Sequence, residues 1–211
     1  MKTPPTFEIE NEIAGKFKLI AGVDEAGRGP LCGPVVAAAV IFSSFDIDIP
    51  VVIADSKQMT RKKRALAFDW ITKNTVWAAG QCSPAEIDGM NILRASMLAM
   101  KRALAGLSRT PEFSLVDGNR LPDGLAGRAV VRGDARSLSI AAASIVAKET
   151  RDRIMTELAG KFPQYGWERN AGYPTASHLQ AIEKHGINRH YRKSFGPVAR
   201  ILAKESGINK G

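Results

Sequence analysis

The chain has 211 residues, of which 45% are hydrophobic and 24% are charged, the balance of a soluble globular domain with a short appendage. No apolar run reaches the roughly 18 residues that span a bilayer, and no signal core follows the first five residues. We therefore expect a cytoplasmic protein that binds no membrane. The two cysteines, Cys32 and Cys82, lack metal-site spacing and are predicted to be reduced core residues.

Positive charge is concentrated towards the C-terminus. Lysine and arginine number 30 against 21 acids, which gives a net charge of +9 and a pI near 9.8. Nine of these bases and three of the acids lie in residues 161–211, together with all three histidines. Such an excess favours polyanionic partners such as nucleic acid, whereas the simpler alternative is a solvated helical face.

In chain order, hydrophobic runs and turn residues predict strands interleaved with helices. The first dozen residues are expected to form a loose leader. Strands are predicted over residues 18–24, 34–42, 76–82, 113–116 and 128–132. Helices are predicted over 60–73, from a capping box at 83–86, over 91–107 and 137–161, and after residues 175 and 197. This order indicates an α/β sandwich with a helical C-terminal tail.

Four acids fall where an apolar segment gives way to glycine or a loop: Asp24, Glu25, Asp117 and Asp134. Strand ends of an α/β sheet commonly meet at a ligand crevice, and clustered carboxylates repel one another unless cations are bound. Oxygen ligands select Mg²⁺ or Mn²⁺, and two such ions can clamp a phosphodiester. Each acid taken singly is better explained as a turn former or helix cap, whereas the set in a basic protein favours metal-dependent phosphate chemistry.

Several sequence blocks resemble one known family. Residues 21–30 read Ala-Gly-Val-Asp-Glu-Ala-Gly-Arg-Gly-Pro and strongly resemble the opening motif of the ribonuclease HII family. Residues 55–60 resemble its Asp-Ser-Lys-x-Leu-Thr loop, with Met59 in place of leucine. Further similar blocks are Val116-Asp117-Gly118-Asn119, Gly133-Asp134 through Ser137 to Ala147-Lys148, Gly172-Tyr173-Pro174-Thr175 and Arg192-Lys193-Ser194-Phe195. The resemblance runs from about Lys18 to Val198.

The resemblance implies a ribonuclease-H-like mixed sheet flanked by helices, with a catalytic core over residues 1–160. A basic helical extension over 161–211 is expected to pack as part of the same domain. The implied reaction hydrolyses the RNA strand of RNA–DNA hybrids and cuts 5′ to ribonucleotides in duplex DNA, leaving 5′-phosphate and 3′-hydroxyl. Two Mn²⁺ or Mg²⁺ ions are implied, held by the same four acids, and the implied role is ribonucleotide excision repair.

The resemblance also implies residues that contact the substrate. Gly27, Arg28 and Gly29 resemble the loop whose backbone reads the ribose 2′-hydroxyl, although a lone Gly-x-Gly is as often only a turn. Tyr173 resembles the tyrosine that packs on the neighbouring sugar. From composition alone, it is equally well explained as a surface packing residue.

Basic and polar residues near these blocks are further candidates. Ser137 and Lys148 share roughly one face of the long helix, although Lys148 is as well placed to pair with Asp152. Glu149 and Arg153 are spaced to pair on the same helix. Arg192, with Lys193 and Arg200, is expected to track the duplex backbone. The histidines are expected to be satisfied surface residues.

Three alternative functions remain open at this point. A ribonuclease HIII-like hybrid nuclease would carry a substantial N-terminal binding domain, and fewer than 20 residues precede the first predicted strand. A non-catalytic module that binds hybrids has no need of the four intact acids, because clustered negative charge would weaken its binding of nucleic acid. A DNA nuclease would not need a loop that reads the 2′-hydroxyl. We expect a monomer, because no heptad seam is visible.

Overall fold

A five-stranded mixed sheet forms the centre of the computed structural model, which describes residues 4–205. Its strands are β1 (Ile20–Ala26), β2 (Val35–Ile41), β3 (Val76–Cys82), β4 (Phe113–Asp117) and β5 (Gly127–Val130). The helices are α1 (Glu8–Ala14), α2 (Arg61–Asn74), α3 (Pro84–Met90), α4 (Ile92–Ala105), α5 (Leu138–Lys161), α6 (Trp167–Asn170), α7 (Ala176–His185) and α8 (Gly196–Glu205). Short 3₁₀ turns at Gly133–Ala135 and Pro163–Tyr165 precede α5 and α6. The predicted mixed α/β architecture with a helical C-terminal part is confirmed.

Strand pairing brings two acids together. The strands lie in the order β3-β2-β1-β4-β5, with β1, β2 and β3 antiparallel and with β4 and β5 parallel to β1. Val23 of β1 is in register with Val116 of β4. The next residue of each strand, Asp24 and Asp117, therefore lies just past the paired segment of these parallel strands, towards their carboxyl ends, where α/β sheets place ligands.

Small side chains allow helices to pack closely on both faces of the sheet. Within residues 37–40 of β2, the odd-numbered side chains pack with α4 and the even-numbered ones with α5, as the period of two in a strand requires. At Gly22, a Cβ atom would collide with the backbone of Ser139, so α5 begins directly on β1. None of the helices within residues 4–205 is both long and apolar enough to cross a membrane.

The N-terminal residues are an integral part of the fold, and the expectation of a loose leader is wrong for the described residues 4–12. They form most of α1, whose Ile9 packs in a core cluster with β1, β4 and α5. The Glu10 side chain is fully buried and accepts hydrogen bonds from Ser137 Oγ (2.7 Å) and Ser139 N (3.0 Å). Residues 1–3 of the predicted leader lie outside the described range.

The C-terminal helices enclose a separate apolar cluster around Trp167 against the end of α5. Cys32 lies in this cluster and Cys82 in the main core; both are free and buried, as predicted. His178 is fully buried, so its expected surface position is wrong. Its Nε2 accepts from Trp167 Nε1 (3.0 Å), which leaves the proton on Nδ1 to donate to the Tyr173 carbonyl (2.8 Å).

The predicted ion pair between Glu149 and Arg153 on α5 does not form. Glu149 instead accepts from Arg64 of α2 at 2.6 Å, where both side chains are largely buried. The guanidinium of Arg153 lies over the Phe68 ring, 4.2 Å from its centroid. Spacing within one helix cannot reveal a partner on another helix, and the packing of α2 on α5 decides this contact.

Replacing Glu10 with alanine is expected to lower the free energy of unfolding by about 2–3 kcal/mol, because two buried donors lose their shared acceptor. Urea unfolding followed by circular dichroism measures the change. The matched control is Glu8→Ala on the same helix, where the side chain is exposed and the effect should stay within about 0.5 kcal/mol. Equal effects of the two substitutions would contradict the assigned role of Glu10.

Candidate active site

Three carboxylates meet beside the carboxyl ends of β1 and β4. Asp24 and Asp117 belong to these strands, and Asp134 lies in the 3₁₀ turn Gly133–Ala135 that leads into α5. One carboxylate oxygen of each lies within 4.8 Å of the others. Asp24 and Asp134 are buried, with 4% and 8% of their surfaces exposed, and Asp117 is half-buried.

Backbone contacts hold the three acids in place. Asp117 Oδ1 accepts from the Gly133 amide at 2.7 Å, which ties the end of β4 to the turn that carries Asp134. Asp24 Oδ1 accepts from the Glu25 amide at 2.6 Å. Arg132, in the left-handed region at φ 55°, starts the turn. The cluster is thus fixed by local backbone geometry as well as by the register of the sheet.

Burial and mutual repulsion oppose ionisation of these groups. Burial, followed by the charges of Glu25 and Asp117, raises the pKa of Asp24 well above its ordinary value of 3.8. The pKa of Asp134 is raised to about 6, by burial first and then by Asp117 and Asp55. Carboxyl groups held in this way release their protons more readily when a cation binds between them.

Glu25 lies next to the three-acid cluster, and its side chain faces the guanidinium of Arg28. Its Oε1 atom pairs with the Arg28 guanidinium at 3.2 Å, and it lines a groove together with Asp117 and Ser96. Burial raises the pKa of Glu25, and Arg28 acts in the opposite direction. The structure therefore places three of the four predicted acids in one group and the fourth on its edge.

Lys57 is a site residue to which the sequence reasoning assigned no role. Partial burial works to lower its pKa, but the negative charges of Asp24, Asp134, Asp55 and Asp117 outweigh burial and raise it. Its position in the Asp-Ser-Lys block was the available signal. The positive charge of this side chain partly balances the carboxylates.

The loop that carries Lys57 is held at the preceding residue. The Ser56 amide donates to Ser144 Oγ of α5 at 3.3 Å, and the Ser56 carbonyl accepts from Arg64 at 3.5 Å. Arg64 in turn pairs with Glu149 and, at 3.2 Å, with Asp152. Ion pairs between α2 and α5 thereby fix the loop beside the acids.

The Gly27-Arg28-Gly29 loop follows β1 directly and is exposed at Arg28 and Gly29. Gly27 has φ +92°, and a Cβ atom there would collide with the Arg151 side chain, so glycine is required twice over. A Cβ atom at Gly29 would lie 3.3 Å from Cε1 of Tyr173. The Tyr173 ring, 44% exposed, thus lies beside the predicted recognition loop.

Two residues that were predicted to contact the substrate are buried instead. Ser137 is fully buried, caps α5 by accepting from the Ile140 amide and donates to Glu10. Arg192 is also fully buried, and its guanidinium donates to backbone carbonyls of the chain. Both expected contacts are corrected on this ground, because a fully buried side chain cannot reach a duplex. Lys148 remains partly exposed and pairs with Asp152 at 2.6 Å.

The residues present fit a hard divalent cation. Asp24, Asp117 and Asp134 offer only carboxylate oxygens at mutual distances that suit one or two ions, and neither His nor Cys joins them among the described residues. Oxygen-only sets of this kind select Mg²⁺, Mn²⁺ or Ca²⁺ over softer metals.

Comparison with known proteins gives the site its context. The ribonuclease HII family model matches residues 21–198. The chain belongs to the ribonuclease HII family. Ribonuclease HII of Magnetococcus marinus is 55% identical over 206 residues, which cover 94% of this chain and 95% of that protein. The family is dependent on divalent metal ions, in agreement with the acidic triad.

Solved structures show the same fold. Ribonuclease H2 from Pyrococcus horikoshii superposes with a TM-score of 0.73 at 28% identity, over 92% of this chain and 100% of that one. A ribonuclease HIII, Bst-RNase HIII solved in complex with Mn²⁺, gives a TM-score of 0.69 at 19% identity and is covered over 71% of its length. The latter likeness concerns the fold alone, and family membership decides against the ribonuclease HIII-like alternative.

Asp134→Asn is expected to stabilise the metal-free protein near neutral pH. The raised pKa means that the folded state keeps a proton between pH 3.8 and about 6 that the unfolded state loses, so stability falls as the pH rises through this window. In chelator, the variant should melt on the order of 3–5 °C above wild type at pH 7.5, and close to wild type at pH 4.

Calorimetry at both pH values measures the difference, with exposed Asp69→Asn on α2 as the control that should show none. An equal rise of the melting temperature at both pH values would contradict the electrostatic origin of the effect.

Proposed function

We propose that this member of the ribonuclease HII family is a type 2 ribonuclease H. It hydrolyses the RNA strand of RNA–DNA hybrids and cuts on the 5′ side of ribonucleotides embedded in duplex DNA, leaving 5′-phosphate and 3′-hydroxyl ends. The observation that carries the proposal is the carboxylate triad, with Asp24 and Asp134 buried, beside the exposed Gly27-Arg28-Gly29 loop. The carboxylate triad would serve phosphodiester hydrolysis, and the loop suits recognition of a ribose.

Asp24, Asp117, Asp134 and Glu25 would hold two Mg²⁺ or Mn²⁺ ions. Asp24 is the most buried of the triad and suits a carboxylate shared between both ions, with Asp117 and Asp134 on one ion each. When bound, such ions supply Lewis acidity to the attacking water and the leaving oxygen. The chain contributes the fixed ligand geometry, and its neighbouring Lys57 limits the negative charge that the substrate phosphate meets.

The loop would recognise the ribose through its backbone. The amides of Arg28 and Gly29 lie in an exposed segment next to Asp24 and Glu25, where a 2′-hydroxyl could accept a hydrogen bond from them. The exposed ring of Tyr173, beside Gly29, would pack on the adjoining sugar. Together these two contacts favour a ribonucleotide followed by DNA.

Basic residues would hold the duplex without reading its sequence. Lys193 and Arg200 are exposed in the C-terminal part and suit phosphate contacts whose strength falls with salt. Lys148 would have to exchange its Asp152 partner for a phosphate oxygen. Ribonucleotide excision repair is the cellular role that this activity would serve. The monomeric state and the cytoplasmic location stay predictions.

A non-catalytic module that binds hybrids is the alternative function. It is disfavoured because three carboxylates with oxygens within 4.8 Å of one another, two of them buried, weaken both the fold and the affinity for a polyanion unless they hold cations. A binding module would gain from replacing them.

The decisive test uses a labelled DNA duplex with one ribonucleotide. In Mg²⁺ or Mn²⁺ the protein should cut 5′ to that ribonucleotide, and Asp24→Asn should reduce the rate on the order of 10³-fold, because a preorganised charged group is lost. An all-DNA duplex, a chelator and the exposed Asp69→Asn variant serve as controls. Tight binding without any cleavage would replace the proposal with the binding module.

Tyr173→Ala is expected to slow cleavage of the same duplex on the order of tenfold, the size of a lost aromatic stacking contact. Its melting temperature should change little, since the ring is 44% exposed. Single-turnover kinetics measures the rate, and Tyr173→Phe, which keeps the ring, should stay close to wild type. If the alanine variant cuts as fast as wild type, the ring does not contact the sugar.

A further inference from the structure

Two arginines are buried without an acidic partner. Arg151 on α5 is 1% exposed, and Arg192, between α7 and α8, is 0% exposed. Neither forms a salt bridge within residues 4–205. Burial lowers the pKa of Arg192 to about 9 and lowers that of Arg151 as well. A buried charge is costly unless it is hydrogen-bonded, so the acceptors of these side chains define their role.

Every acceptor is a backbone carbonyl, and five of the six lie in one segment, residues 27–34. Arg192 donates to the carbonyls of Gly27 (2.6 Å), Arg28 (3.0 Å) and Gly33 (3.0 Å). Arg151 donates to the carbonyls of Pro34, Cys32 and Ala171 at 3.0–3.1 Å. The two buried guanidinium groups thus hold the Gly27-Arg28-Gly29 loop and residues 32–34 through hydrogen bonds from the protein interior.

The geometry of the peptide group links the direction of these carbonyls to the direction of the amide N–H groups that follow them. In a trans peptide the carbonyl of one residue and the N–H of the next point in opposite directions, and the described residues contain no cis bond. With the Gly27 and Arg28 carbonyls held inward by Arg192, the N–H groups of Arg28 and Gly29 point outward. Within residues 4–205 neither amide has a hydrogen-bond acceptor.

We propose that Arg192 is the positioning residue for ribose recognition: it fixes the direction of the Arg28 and Gly29 amides and so determines how well the enzyme distinguishes a ribonucleotide from DNA. This inference rests on the proposed function of the loop. Arg192 does not touch the substrate. It acts through the Gly27–Arg28 and Arg28–Gly29 peptide groups. Arg151 holds the following residues through the Cys32 and Pro34 carbonyls.

The planar guanidinium is what makes this possible. A single side chain donates to three separate carbonyls, those of Gly27, Arg28 and Gly33, and the arginine fork offers donors at fixed angles. Lysine supplies a compact charge on a flexible stem and does not offer donors in the fixed directions of the guanidinium. Arg192→Lys therefore keeps the charge and removes the geometry.

The test measures binding in the inactive Asp24→Asn background, using the full chain in Mg²⁺. Fluorescence anisotropy gives the affinity for a duplex with one ribonucleotide and for the same duplex in all-DNA form. The ratio of the two affinities is the preference for ribose. Arg192→Lys is expected to reduce this preference about tenfold, the equivalent of one hydrogen bond, with the all-DNA affinity unchanged. Arg192→Gln, which lacks the charge, is measured in parallel.

A matched control separates positioning from general loss of stability. Ile71→Ala removes a fully buried side chain of α2, away from the loop, and should lower the melting temperature while the preference for ribose stays as in the parent. If Ile71→Ala loses the preference to the same extent as Arg192→Lys, the effect is global and the inference is wrong.

Other outcomes are equally distinct. A direct phosphate contact by Arg192 would weaken both duplexes by one factor and reduce the salt dependence, which overturns the inference. An unchanged preference in both Arg192 variants also overturns it. If the parent background shows no preference for ribose at all, the proposed function of the loop has failed, and the fault lies there rather than with Arg192.

Discussion

Mutual repulsion among Asp24, Asp117 and Asp134 is the constraint around which the rest of the site is arranged. Three carboxylate oxygens within 4.8 Å of one another are stable only when protonated or when a cation lies between them. The parallel pairing of β1 with β4 and the turn before α5 hold the groups together despite this repulsion. Lys57 supplies a neighbouring positive charge. The fold thus maintains an arrangement that only a bound metal ion completes.

Buried polar contacts, rather than apolar packing alone, join the peripheral parts of the chain to the sheet. Glu10 connects α1 to the start of α5, and Arg64 connects α2 to α5 beside the Lys57 loop. Arg192 connects the C-terminal part to the loop after β1. Each of these contacts ends at a segment that borders the acids. Directional bonds of this kind specify position more narrowly than an apolar contact would.

Sequence patterns predicted the sheet, the strand-end acids and the helix caps, because these depend on local periodicity and on side chains that bond to nearby backbone. Thr60, Ser83 and Thr175 cap the helices that follow them. The directions of Ser137 and Arg192 were not predictable, since a polar residue near a site motif looks the same whether it faces solvent or the interior. Their partners lie 127 and up to 165 residues away. The choice of substrate came from the family resemblance and not from the pattern of residues.

The hydrogen bonds from Arg192 to the loop also have a consequence for folding during synthesis of the chain. Chains emerge from the ribosome N-terminus first, and a domain generally folds as one unit. All four acids and α5 precede residue 162, whereas the side chain that holds Gly27 and Arg28 is 165 and 164 residues downstream of them, respectively. The Gly27-Arg28-Gly29 loop therefore gains these bonds only after residue 192 has been synthesised.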